Sequence, residues 1–296
     1  TATLRQRHIP PNVMWHFKTK ANYMNKQVLL LITLIICSSI SRGQSISELN
    51  QKGKDCASKE DYKCAIDATK KLIKLEESSI KLASYYFNLA TFQRHLNYHK
   101  KALKSYNSAI KAYPTFLVAF RERAALLYFL GKPNEALKDL NMALTIDSID
   151  VAALMDRASI YNVTEKLDLA AKDLETVIRY NPKNYKARSN LASIKSKMGN
   201  LEEALCDLTV LVDEYPEQSI LHNNRSETLR RLKRLDEALK EAEIAVLLDE
   251  SSAMVHVTKG LVLNELNRKE EAKKEFERAI QLGFAQSKID TLLREE

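Results

Sequence analysis

Cys56 and Cys64 stand eight residues apart, and His222 and His256 stand 34 apart; these are the spacings in the chain that invite a chemical reading. The two cysteines face each other across a predicted turn. In an oxidising compartment they either link the helices on its two sides or fill a helix interface as reduced thiols, and both readings stand. Cys206 has no nearby partner and reads as a lone thiol. The two histidines occupy equivalent places in adjacent units of a repeat, four residues before a small side chain. That place normally belongs to a helix interface, which favours structural packing over a metal or proton site. His95 and His99 share one helix end, with His99 in the turn. No Cys/His spacing fits a zinc site, and there is no Gly-rich phosphate loop, Gly-x-Ser-x-Gly or His-Glu-x-x-His. The sequence therefore predicts no catalytic residue, cofactor or metal, and no enzyme.

What positions these side chains is an internal repeat. Ala124 is followed by Ala136, Ala158 by Ala170 and Ala192 by Ala204, each pair beginning 34 residues after the last. Outward, the first member of the pair is Gly53, Ala90, Ser226 and Gly260, and the second is Ala65, Ala102, Ala238 and Ala272; only the first interval, at 37, departs from 34. A helical repeat of this length predicts a solenoid of helix pairs, in which small residues mark the closest approach of helix A to helix B. Seven residues after the small residue stand Asn97, Gly131, Gly199 and Asn267, types that tolerate the left-handed turn closing a helix; four of seven repeats carry this signal. Pro114, Pro182 and Pro216 mark the end of helix B in three repeats.

The formal charge of +8 suggests a nucleic-acid partner until it is located. Residues 1–43 hold Arg5, Arg7, Lys18, Lys20, Lys26 and Arg42 and no acid, which leaves 40 basic against 38 acidic side chains in the remainder. Phosphate neutralisation is therefore not a property of the repeats. Lys26, the apolar run Val28 to Cys37 and the small residues to Gly43 have the layout of a signal peptide over 24–43, with a cut before Gln44. The run is too short to span a bilayer of about 30 Å; a retained N-terminal membrane anchor is the alternative. Residues 1–23, upstream of Met24, read as an extension that is disordered or foreign to the mature protein. Cys37 follows Ile36, which disfavours lipidation. The expected localisation is periplasmic or secreted.

The segments Ala136-Leu137-Lys138-Asp139-Leu140 with Ala143, Ala170-Ala171-Lys172-Asp173-Leu174, and Glu237-Ala238-Leu239 with Ala242 and Ala245 carry a resemblance. The chain resembles the tetratricopeptide repeat family, with seven repeats over about residues 46–283. The resemblance implies an all-α, right-handed superhelical solenoid over 44–296, closed by a capping helix at 284–296 with Ile289, Leu292 and Leu293 on its inner face. It also implies that the first helices of the pairs line a concave face. Partner-binding residues would then be Phe87, Asn88, Arg94, Arg121, Tyr128, Phe129, Met155, Lys186, Asn190, Asn223, Asn224, Arg230 and Arg231. Asn88, Asn190 and Asn224 resemble asparagines that this family uses to hold a peptide backbone. The two-carboxylate clamp of its chaperone adaptors is not supplied by any three consecutive repeats.

The lining changes from aromatic and aliphatic to polar and basic along the repeats, so the expected partner is a protein or peptide with apolar and acidic segments. The sequence thus reads as an exported, non-enzymatic interaction scaffold, without nucleic acid and without a stable span in the mature chain. A self-associating scaffold, or an assembly factor for a cell-envelope complex, is the alternative.

Overall fold

The computed structural model describes residues 42–43 and 45–294. The signal-peptide pattern, its cut before Gln44, the extension at 1–23 and Cys37 lie outside the described residues, apart from Arg42 and Gly43. The described residues fall into two compact units, one ending at Ala119 and one beginning at Phe120.

In the first unit α1 (45–58) and α2 (Tyr62–Leu75) form one antiparallel pair, and α3 (Ser79–His95) and α4 (His99–Ala112) form the next. The second unit begins within α5 (Leu117–Phe129). It continues through α6 (Pro133–Ile146), α7 (Val151–Val163), α8 (Leu167–Tyr180), α9 (Tyr185–Lys197), α10 (Leu201–Glu214), α11 (Ser219–Arg231), α12 (Leu235–Leu248), α13 (Ala253–Glu265) and α14 (Lys269–Gln281). A last helix, α15 (Gln286–Leu292), closes it by burying Ile289 against the α13–α14 pair. Among the described residues there is no strand, and no helix is long and apolar enough to cross a membrane.

The small-residue pairs sit where the sequence places them, at the line where helix A meets helix B. Ala90 and Ala102, Ala192 and Ala204, and Ser226 and Ala238 are fully buried. Ser226 adds a hydrogen bond to the contact, its Oγ donating to the Ala238 carbonyl at 2.8 Å.

The turn after helix A is more regular than the residue types suggest. Asn97, Gly131, Gly199 and Asn267 have positive φ, and so do Glu60, Glu165 and Lys233 at the three equivalent places. Each turn closes in the same way, with a backbone N–H one residue further on donating to a carbonyl five residues back: Asp61 to Cys56, Tyr98 to Gln93, Lys132 to Leu127, Lys166 to Tyr161, Asn200 to Lys195, Arg234 to Leu229 and Arg268 to Leu263. This Schellman closure satisfies carbonyls that the helix end would leave unpaired. All seven repeats therefore adopt the left-handed residue, including three whose side chains disfavour it.

A second regularity ties the helices of a pair in four repeats of the second unit. There the residue before the small one is basic, and the residue sixteen later is acidic. Arg123 grips Asp139 at 2.7 and 2.5 Å and Arg157 grips Asp173 at 2.8 and 2.7 Å. Arg225 reaches Glu241 at 2.5 Å and Lys259 reaches Glu275 at 2.7 Å. In repeat five Leu191 stands at the basic place, and Lys195 reaches Asp207 instead, at 2.7 Å.

Candidate functional site

Cys56 and Cys64 are joined as a disulfide between the end of α1 and the start of α2. The join spans the turn in which the Cys56 carbonyl accepts from Asp61 N–H, while the Asp61 carboxylate caps α2 by accepting from Cys64 N–H at 3.0 Å. Cys206 is free and exposed.

The two histidines do not meet each other. Each is built into its own repeat, with Nδ1 of His222 at 2.8 Å from Glu241 and Nδ1 of His256 at 2.6 Å from Glu275. Their Nε2 atoms donate to the carbonyls of Pro216 and Glu250 at 2.9 and 3.0 Å. Burial pushes the Glu275 carboxyl up, but the hydrogen bonds from His256 and Lys259 hold it below the usual carboxylate range. Both ring nitrogens of each histidine are thus engaged within the fold, and among the described residues no group of three His, Cys, Asp or Glu side chains could hold a metal ion. His95 stacks on Tyr62 at 4.3 Å between ring centres.

The residues predicted to line a binding face divide into several environments. In the first unit Phe87 packs inward against Tyr106 and Phe116, with ring centres 5.8 and 5.4 Å apart. Arg94 lies against the Tyr106 hydroxyl, and Asn88 is exposed. In the second unit the A helices α5, α7, α9, α11 and α13 present one common face. Phe129, Lys186 and Asn190 are exposed on it, Tyr128 and Met155 are half-buried, and Arg121 is half-buried with Nη1 at 3.5 Å from Asp150.

The basic lining predicted for the later repeats is drawn into the fold. Arg230 pairs with Glu227 at 2.9 Å and with Glu265 of the next repeat. Arg231 donates to the Ser196 carbonyl at 2.5 Å, and Asn224 donates to Ser189 Oγ at 2.8 Å. Sequence position placed these side chains on the right face but not their partners, which for all but Glu227 come from helices 35 residues away. Burial opposes the charge on the Arg230 guanidinium, but two carboxylates fix it as a permanent cation whose charge is already met.

Asn223 stands apart. It is 5% exposed, its neighbours Ser189 and Asn224 bond to each other, and its own Oδ1 is buried without a hydrogen-bond partner. A buried carbonyl oxygen left unpaired costs roughly 1–3 kcal/mol. Residue types carry no sign of this difference between Asn223 and Asn224, because it depends on which of two adjacent carboxamides turns toward Ser189.

Each unit is by itself an all-α stack of antiparallel helix pairs whose A helices present side chains at a fixed interval. Family models described as tetratricopeptide repeat match residues 83–116, 190–254 and 255–282. A tetratricopeptide repeat protein from Parabacteroides merdae is similar at 27% identity and a TM-score of 0.76, with 85% of this chain and 98% of that one covered. TTC0263, a thermophilic protein of the same repeat type from Thermus thermophilus, is similar at 18% identity and a TM-score of 0.54, covering 60% of this chain and 97% of that one. Yeast Tom70 reaches a TM-score of 0.54 at 20% identity, covering 75% of this chain and 49% of that one. No curated protein matches by sequence. The matched residues are tetratricopeptide repeats, and the chain has the fold of a tetratricopeptide repeat protein, a fold that serves as a scaffold for protein interactions.

Proposed function

We propose that the A-helix face of the second unit holds a segment of a partner protein, and that the mature chain works outside the cytoplasm. The observation that carries the first part is the buried, unpartnered Oδ1 of Asn223. A polypeptide laid across the A helices brings a backbone N–H donor at nearly every residue, and one of them would satisfy this oxygen. Exposed Asn190 on α9 and half-buried Tyr128 on α5 offer further polar contacts on the same face.

The second part is supported by the basic start, short apolar run and small residues of the 24–43 segment. It is supported too by the disulfide, a bond that persists in oxidising compartments. N-terminal sequencing of the protein recovered from its source is expected to start at Gln44, and a chain that keeps residues 1–43 would overturn export.

For the binding face, the experiment is recovery of partners on immobilised protein, with Asn223→Leu beside the parent. Leu keeps the size and removes both polar atoms, so the fold is retained and the backbone anchor is lost. The expected result is partner recovery lost from N223L with its helix content unchanged; identical recovery removes this face from the function. A self-associating scaffold is separated by sedimentation, which would show larger species unaffected by N223L.

A further inference from the structure

In four repeats of the second unit a basic side chain before the small residue joins its A helix to the B helix that follows. Arg157 makes the fullest set of bonds. Its Nε and Nη2 donate to Asp173 on α8, and its Nη1 donates to Asn141 on the preceding B helix, α6, at 2.7 Å. One guanidinium thus bridges two successive B helices. Repeat five lacks it: Leu191 stands 34 residues after Arg157, while the acid is kept as Asp207, and Glu175 on α8 stands 34 residues after Asn141. At this place there is a cavity of about 240 Å³, lined by Ile178 of α8, Arg188 and Leu191 of α9, and Asp207, Val210 and Leu211 of α10.

Without the guanidinium the acid is in a different state. The side chains of Asp139 and Asp173 are 8% and 6% exposed under their arginines, and that of Asp207 is 43% exposed. Each arginine bonds both oxygens of its aspartate, whereas Asp207 receives Lys195 at Oδ2 alone, and its Oδ1 has no hydrogen-bond partner among the described residues. Around it Arg188 and Lys195 pair with three carboxylates, Asp207, Glu203 and Glu214, so two cations face three anions and one negative charge is left over. Half-buried Leu191 and Ile178 and exposed Val210 supply an apolar wall beside that charge. An aliphatic stem ending in a planar, weakly hydrated cation satisfies both features. The volume lies below the range of about 300–1,000 Å³ found for small-molecule pockets, which suits one side chain.

We infer that this cavity receives an arginine side chain from a partner polypeptide, with the guanidinium on Asp207 as Arg157 sits on Asp173, and the methylenes against Leu191 and Val210. None of the lining residues belongs to the A-helix face proposed above, so the site stands whether or not that face binds. Charge selects against an acidic side chain, which would be set against Asp207 with Arg188 already held by Glu214 at 2.5 Å. Lysine lacks the fork that pairs with both oxygens of one carboxylate.

Methyl NMR on the full chain tests it, with acetyl-arginine methylamide as the probe and the citrulline analogue, which has the same length and no charge, as its control. The capped arginine is expected to shift the methyl signals of Leu191 and Val210, and the capped citrulline to bind at least about tenfold more weakly, a difference of about 1.4 kcal/mol. Asp207→Asn should weaken the capped arginine about fivefold, the upper range for a partly exposed ion pair. Leu191→Arg supplies the guanidinium from within the chain and should abolish the shift at Val210, with the rest of the spectrum preserved in both variants. N223L should leave the titration unchanged, which separates this cavity from the A-helix face. No shift at Val210, equal binding of the two probes, or undiminished binding to D207N or L191R overturns the inference. Free arginine binding more tightly than the capped form would assign the cavity to the amino acid and overturn the partner side chain.

Discussion

Gly260 lies so close to the ring of Phe276 that a Cβ at residue 260 would fall 2.5 Å from Cε1. The small residue at this line is thus a steric requirement in repeat seven. Sixteen residues after the equivalent Ala124, Ala158, Ala192 and Ser226 stand Leu140, Leu174, Leu208 and Ala242, which leave room for a Cβ. In repeat two Tyr106 holds the same place after Ala90, and its ring is drawn toward Phe87 and Arg94. Gly260→Ala is expected to cost about 1–3 kcal/mol by overpacking, read as a lower urea midpoint with an unchanged slope. Phe276→Leu in the same chain should recover part of that loss. A G260A protein as stable as the parent would show that the ring moves aside freely.

The left-handed turns make a prediction of opposite sign. Glu165 has a φ of 56° and an exposed side chain. A side chain in this conformation costs roughly 1–2 kcal/mol, while glycine adds back some chain entropy in the unfolded state. Glu165→Gly should therefore stabilise the protein by about 0.5–1 kcal/mol. Thermal melts of E165G against the parent decide it, and a lower midpoint would mean that the turn imposes little strain.

The intra-repeat ion pairs allow a cycle. Arg157 and Asp173 are both largely buried and share two hydrogen bonds. Removing one partner strands a buried charge, so Arg157→Met is expected to cost about 3 kcal/mol. Replacing both, with Asp173→Leu added, should return the protein to within about 1 kcal/mol of the parent or above it. Denaturant unfolding of the two singles and the double separates this from a simple sum, which would indicate that the side chains act independently.

These pairs also show how far the sequence could be read. The spacing of the alanines fixes the helix pairs, and the sixteen-residue interval from Arg123 to Asp139, repeated at Arg157 and Asp173, is equally legible there. It is a charge pattern across two helices, which helical periodicity along one helix does not reveal. The left-handed turns at Glu60, Glu165 and Lys233 are hidden for a different reason: there the geometry of the stack overrides what the side chain prefers. The proposed binding face is legible as a set of positions but not as a charge. Arg230 and Arg231 read as open cations on residue type, and only the packing of Glu265 and Ser196, each 35 residues away, shows that they are held.

Acid is expected to weaken repeat seven through Glu275. Its carboxyl lies below the usual range in the folded protein, so it contributes stability that is present above about pH 4.5 and lost as pH falls through the lowered value. Glu275→Gln should flatten the acid limb of the stability profile, measured as melting temperature between about pH 6 and about pH 3. An unchanged limb in E275Q would place the acid sensitivity elsewhere.

Asp156 has the opposite sign. Its carboxyl is raised in the folded chain, so the folded state binds a proton there more readily than the unfolded one, and the associated stability fades as pH rises through the raised value. Asp156→Asn should consequently leave the free protein at least as stable at neutral pH. Thermal melts of D156N and the parent between about pH 7 and about pH 3 decide it, with the gap in favour of D156N expected to close as Asp156 takes up its proton. A D156N protein less stable than the parent at neutral pH would mean that the Asp156 carboxylate makes a contact the fold depends on.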